Sequence, residues 1–270
     1  MTQAISIGLM GTTPVDVLRV LAPRIERLGF DALWLNDVPS GDSLTGLRAA
    51  ADVTTTLRLA SGVIPLDRRP VDTLDLAGIP AERLRLGIGS GGLARPLRPV
   101  RDAVRALRER TAAAVVVGAL GPRMRRLAAE EADGVLLNWL TPDSAGTAMH
   151  ELAADAAAAG RDEPGAVRGV LYVRTIVEES ARPNLEAESA KYAAVPAYAA
   201  NFERLGFRAV DATIDDASGL AAYADDRGDR GAPADEIVLR AITPNAPRAS
   251  LDELESVVER TASWLAAGRP

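Results

Sequence analysis

Apolar and polar positions along this chain fall into two alternating patterns. Short runs rich in Val, Ile and Leu occupy residues 5–10, 32–35, 84–88, 113–117, 135–140, 170–177 and 237–242, and one more lies within 57–64. Longer stretches with helical spacing separate them. In 15–28, for example, Val17, Leu18, Leu21, Ile25 and Leu28 fall on one face, and Gly29 follows where a helix C-terminus favours glycine. Eight runs in strict alternation with helices predict an α/β chain, a closed (β/α)8 TIM barrel rather than an open doubly wound sheet.

Two places break the rhythm. Between the third and fourth runs, residues 70–83 leave room only for a short, proline-bounded helix. Between the seventh and eighth lie roughly sixty residues, far more than one crossover helix needs. Helical patterns at 184–205 and 219–227 and a charged, flexible stretch at 225–235 fill that interval. The expectation is a single domain, 1–270, with 178–235 as an insertion over one edge of the barrel mouth.

Composition narrows the chemistry. Hydrophobic residues make up 47% of the chain and charged residues 25%, which suits a sizeable core. A net charge of −6 argues against a nucleic-acid partner, which needs a basic face. With no cysteine, disulfides, thiolate metal sites and thiol nucleophiles are excluded together. The single histidine, His150, lies in a helical run away from any strand end and reads as a solvated helix residue. A metal site would then be nearly all carboxylate, so none is expected. The opening MTQAISIGLMG has no basic stretch ahead of an apolar run, and no apolar run is long enough to span a bilayer. A cytoplasmic protein without a membrane partner is the expectation.

Three strand ends carry candidate chemistry, and a barrel places its active site at such ends. The second strand runs out into Asn36 and Asp37, and Asp37 suits either a hydrogen bond to a ligand or the fixing of a loop. The fourth ends in Gly87-Ile88-Gly89-Ser90-Gly91-Gly92, where absent Cβ atoms let backbone N–H groups approach a ligand. Gly87, Gly89 and Gly92 match the G-x-G-x-x-G spacing of dinucleotide folds, but the context fails. Arg95-Pro96-Leu97-Arg98-Pro99 delays the next helix, and no acid follows the next strand. The fifth ends in Gly118-Ala119-Leu120-Gly121, after which Pro122 takes a first helical turn and Arg123 follows. Free N–H groups at a positive helix terminus suit that turn to a phosphate, the alternative being an ordinary βα turn with a surface arginine face.

Together these segments resemble the luciferase-like monooxygenase superfamily, in particular its deazaflavin (coenzyme F420) dependent oxidoreductases. The most specific piece is 118–134, GALGPRMRRLAAEEADG, a Gly-rich turn, helix and Ala-Asp-Gly leading into the sixth strand. Residues 84–91 are similar to the family's fourth strand. Gly62-Val63-Ile64-Pro65 is similar to the third-strand end, where relatives bulge the backbone behind the flavin ring, often with a cis peptide. By this resemblance Gly62, Val63 and Ile64 back the ring, and Gly89, Ser90 and Gly91 line its edge or side chain. Gly118, Ala119, Leu120, Gly121, Pro122 and Arg123 hold the phosphate. Asn138 and Trp139 face the mouth near a small-molecule substrate. A homodimer is a further expectation from the resemblance alone.

The chain departs from that pattern at two proton-handling positions. Where many deazaflavin relatives have Asp-His after the second strand, this chain has Asp37-Val38, and where several have an acid after the fourth-strand glycines it has Gly92. Hydride transfer needs positioning more than a proton relay, so it survives these changes, with Asp37 as the catalytic candidate. The leading expectation is an oxidoreductase passing a hydride between reduced F420 and a small organic substrate. The alternatives are an FMN-dependent luciferase-like monooxygenase, a non-catalytic flavin or deazaflavin binding protein, and a barrel enzyme acting on sugar phosphates. Arg174 and Arg240, charged residues within strands, suit an anionic substrate or a structural pair. Tyr192, Tyr198 and Phe202 suit a ligand cover or plain packing.

Overall fold

In a computed structural model that describes residues 3–224 and 234–267, all eight apolar runs form strands. They are β1 (Ala4–Met10), β2 (Ala32–Asn36), β3 (Arg58–Ser61, resumed at Ile64–Pro65), β4 (Leu84–Gly89), β5 (Ala114–Gly118), β6 (Gly134–Asn138), β7 (Arg168–Thr175) and β8 (Glu236–Ala241). Every neighbouring pair is parallel, and β8 pairs with both β7 and β1, so the sheet closes on itself. The result is a (β/α)8 TIM barrel.

Strand periodicity sorts the side chains. On β5, Val115 and Val117 join the core between sheet and helices, while Val116 joins Trp34, Leu136, Val170, Tyr172 and Val238 inside the barrel. At the N-terminal end of the lumen Glu236 is wholly buried. It accepts hydrogen bonds from Ser6 Oγ (2.6 Å), Trp34 Nε1 (2.8 Å), Arg85 (2.6 Å) and Arg168 (3.1 Å), so its charge is fully met.

The outer helices are α1 (Val15–Arg27), α2 (Ser43–Ala51), α3 (Leu97–Arg110), α4 (Pro122–Glu131), α5 (Pro142–Ala158) and, after β8, α9 (Leu251–Ala267). On α1 the expected face buries Leu18, Leu21 and Ile25, and Gly29 stops the helix at φ +81°. Leu28, expected on that face, is the C-cap and is exposed. Between β3 and β4 the expected short helix is absent. Two 3-10 turns, Val71–Thr73 and Ala81–Arg83, each follow a proline, and Gly78 at φ +77° separates them.

Between β7 and β8 lie α6 (Arg182–Ala193), α7 (Pro196–Leu205) and α8 (Ala217–Ala224), with the short strand Thr213–Ile214 extending beside β7. The helical pattern at 184–205 is thus two helices, broken before Pro196. Most of the charged stretch at 225–235, residues 225–233, falls outside the described residues. Among the described residues no helix is long and apolar enough to cross a membrane.

Candidate active site

The C-terminal mouth of the barrel has two unlike halves. On the β3–β5 side the lining is glycine. The break in β3 carries a cis peptide between Gly62 and Val63, and the Gly62 N–H donates to Leu35 O at 2.9 Å. Val63 packs against the lumen cluster, over strands that have given up their side chains. A Cβ on Gly89 would sit 2.6 Å from Val63 Cγ2, and one on Gly118 would sit 3.2 Å from it. A Cβ on Gly87 would fall 1.9 Å from Ser61 O. These glycines let the broken strand cross β4 and β5 and present Val63 as an apolar wall. Ile64, just beyond, is buried and pairs in register with Ile88.

Beyond this arc, Gly91 adopts φ +54°, and a Cβ there would collide with Asp67 Oδ1 at 1.8 Å. Asp67 accepts from the Gly92 N–H at 2.9 Å, pinning the turn that carries Ser90. Next to it α4 begins. Gly121 is its N-cap at φ −126° with no side-chain cap, Pro122 occupies the first turn, and nothing lies within 4 Å of where a Gly121 Cβ would be. A groove of about 640 Å³ opens beside this terminus, lined by Arg95, Leu97, Arg98, Gly121, Arg123 and Met124. Open space, uncapped N–H groups and three arginines suit an anionic group.

The β6–β8 side is polar and aromatic. Arg174 on β7 donates from Nε to Glu188 of α6 at 2.9 Å and from Nη1 to Asn138 Oδ1. Its guanidinium stacks on the Trp139 ring, 3.9 Å from the centroid, and lies 4.9 Å from the Tyr192 centroid. Arg240 on β8 ion-pairs with the other Glu188 oxygen at 3.5 Å. Burial pushes the Glu188 carboxyl up, but the Arg240 and Arg174 charges outweigh it and hold it below the usual carboxylate range.

An open apolar wall, a helix terminus and a charged rim thus share one barrel mouth. The sequence pattern described as luciferase-like monooxygenase matches residues 4–112 and 95–262. The chain belongs to the luciferase-like monooxygenase family.

Proteins similar to this chain include reductases, a dehydrogenase and monooxygenases. A 5,10-methylenetetrahydromethanopterin reductase of Methanolobus tindarius is 29% identical over 196 residues, 58% of this chain and 60% of that protein. The reductase of the same name from Archaeoglobus fulgidus is 30% identical over 176 residues, 50% and 53% of the two. The matches thus span less than two thirds of either relative. Among solved structures, an F420-dependent secondary alcohol dehydrogenase in complex with an F420-acetone adduct superposes with a TM-score of 0.74 at 14% identity, covering all of both chains. The coenzyme F420 dependent tetrahydromethanopterin reductase from Methanopyrus kandleri gives 0.72 at 17%, covering 96% and 98%. The oxygenating constituent of a diketocamphane monooxygenase from Pseudomonas putida, in complex with FMN, gives 0.62 at 13%, covering 97% and 99%. At these identities the structural likeness is one of fold.

The residues singled out from the sequence fall into groups within this luciferase-like barrel. Gly62, Val63, Gly89 and Gly118 converge at one side of the mouth, and Ser90 and Gly121 to Arg123 border it. Asp37 does something more local. Its buried carboxylate accepts from the Ser43 hydroxyl at 2.9 Å and from Arg69, while Arg68 donates to its backbone carbonyl at 3.1 Å. It ties the start of α2 to the β3–β4 loop. Asn138 reaches the mouth, but Trp139, expected beside it, is 1% exposed beneath Tyr192 and Phe202. Its positive φ of 54° turns the ring outward from the strand end under α6 and α7. His150 lies on the exposed face of α5. Glu188 and Tyr172 were missed. A glutamate in a half-exposed helix and a tyrosine in an apolar strand carry no pattern that sets them apart.

Proposed function

We propose that this chain is an oxidoreductase that transfers a hydride between reduced coenzyme F420 and a small organic substrate. The observation that carries this reading is the Val63 wall. An apolar side chain is held over a patch cleared by Gly87, Gly89 and Gly118, a few residues from the uncapped terminus of α4. That pairing suits a flat heteroaromatic ring joined to a phosphate. The names of the reductase and dehydrogenase relatives support the deazaflavin choice.

In this reading the deazaflavin supplies the hydride when bound, and the chain supplies position. Val63 and Ile64 back the ring, Gly89, Ser90 and Gly91 line its edge, and Gly118 to Arg123 hold the phosphate. Residues 178–224 of the 178–235 segment cover one edge of the mouth. Glu188 and Tyr192 of α6 already meet Arg174 and Trp139 of the barrel, and Asn184 donates to Thr243 O at 3.0 Å and Pro244 O at 2.7 Å. Such a cover excludes water from a hydride donor. Asp37, fully engaged by Ser43, Arg68 and Arg69, acts as a positioning residue for the loop that carries Asp67. Asn138 is the strand-end residue left to meet substrate.

An FMN-dependent monooxygenase is the second reading, favoured by the shared barrel of the FMN complex. A parallel fluorescence titration with F420 and FMN separates them. Micromolar binding of F420 alone supports the first reading, and preference for FMN moves the chain to the second. Binding of neither overturns both.

A further inference from the structure

The β6–β8 half of the mouth holds more positive charge than its own residues neutralise. Arg174 and Arg240 are register partners on β7 and β8, and their side chains are 4% and 5% exposed. Each follows a lumen residue by two positions, Tyr172 and Val238, so both guanidinium groups sit at the top of the barrel interior. Among the described residues, Glu188 is the carboxylate within ion-pair reach of either. The rest of the Arg240 fork meets the Ala241 carbonyl and, at 2.7 Å, the Met10 sulfur, a weak acceptor. Two buried cations thus share one anion, and a buried charge without its own counter-charge is costly.

A second observation points to a ligand. The Tyr172 side chain is buried, and its hydroxyl has no hydrogen-bond partner. That hydroxyl lies beside Gly8, the register partner of Arg240 on β1, where a Cβ would come within 2.9 Å of it. Burial raises the Tyr172 pKa to about 12, against the pull of Arg240 and Arg174, so the group is a neutral phenol with a proton to donate. An orphan donor beneath a cationic fork asks for an acceptor-rich, negatively charged group.

We infer that this half of the mouth binds the substrate through an anionic oxygen group, a carboxylate or phosphate, held by Arg240 with Tyr172 as a further donor. Glu188 is the internal anion that keeps the two arginines in place before substrate arrives. The inference rests on the oxidoreductase reading and names its substrate class: an organic acid or a phosphorylated compound. The charge is anchored across the barrel from Val63, so the neutral part of the substrate is left to face the ring.

The test is calorimetric titration of the full chain, without cofactor, by acetate, malonate and inorganic phosphate. Wild type is compared with Glu188→Gln, Arg240→Met, Arg240→Lys and Gly121→Val. Glu188→Gln keeps the shape and both arginines but removes the competing charge, so it should bind the preferred anion about tenfold more tightly. Arg240→Met should bind it at least about tenfold more weakly, with Arg240→Lys between it and wild type. Gly121→Val should lose only the anion binding that Arg240→Met retains, at the α4 terminus, and keep the binding that depends on Arg240. Preference for the carboxylates indicates an organic acid, and preference for phosphate a phosphorylated substrate. Unchanged or weaker binding by Glu188→Gln overturns the inference, as does loss of binding in Gly121→Val with Arg240→Met intact. If circular dichroism shows Arg240→Met unfolded, the Glu188→Gln result decides. F420 titration without added anion tests the cofactor reading separately, so the two fail independently.

Discussion

The claim that Gly89 exists to make room for Val63 can be tested by filling the room. An alanine at 89 places Cβ 2.6 Å from Val63 Cγ2, whereas carbon atoms rest at about 3.5–4.0 Å, so Val63 must retreat by roughly 1 Å. It has little freedom to do so. Its χ1 is stiff, and it is packed against the lumen cluster of Trp34, Val116, Leu136 and Tyr172. Overpacking of this kind costs about 2 kcal/mol. With an m-value of about 3 kcal/mol per M, the urea midpoint of Gly89→Ala should fall by about 0.7 M. Val63→Ala alone, trimming a half-buried side chain, should cost about 1 kcal/mol. In the double variant the new methyl occupies the vacated space, so the two costs should not add, and the cycle should return a coupling of about 2 kcal/mol. F420 titration then separates packing from function. Stability should recover in the double variant while cofactor binding stays weak, because the wall is truncated. Additive stabilities would refute the shared space, and full recovery of binding would refute Val63 as the wall.

Other expectations follow from single features. Gly121→Val meets no atom and suits φ −126°, so melting should drop by no more than about 4 °C, from the poorer N-cap, while F420 binding weakens at least about tenfold; equal proportional losses would make Gly121 a turn residue only. Glu236→Ala leaves Arg85 and Arg168 with Asp31 as their remaining carboxylate and should cost about 2 kcal/mol or more in urea denaturation; a loss under about 1 kcal/mol would contradict the network's role. Because the Glu188 pKa is lowered in the folded chain, its pairing stabilises above the ordinary value of 4.5 and is lost as pH falls through the folded value. The stability gap between wild type and Glu188→Gln should therefore shrink below that pH, and a gap constant down to pH ~3 would contradict the pairing. Asp37→Asn should lower stability and leave the pH profile of F420-dependent turnover unchanged; a displaced limb would show that Asp37 handles a proton.

Local features were legible in the residues because their causes are local. Short runs rich in Val, Ile and Leu marked all eight barrel strands, Gly29 marked the end of α1, and the Gly121-Pro122 pair marked the start of α4. The link at 70–83 read as a short, proline-bounded helix, whereas it holds two 3-10 turns, each after a proline. What the residues alone could not decide was which side chains meet. That Gly89 and Gly118 serve Val63 depends on register between residues far apart along the chain. That Glu188 divides itself between Arg174 and Arg240 depends on how α6 folds back over the mouth. Trp139 shows the same limit from the other direction, since only the packing of α6 and α7 turns a strand-end tryptophan into a buried one. Periodicity is written in neighbours along the chain, while a binding site is assembled from residues that only barrel closure brings within a few ångströms of each other.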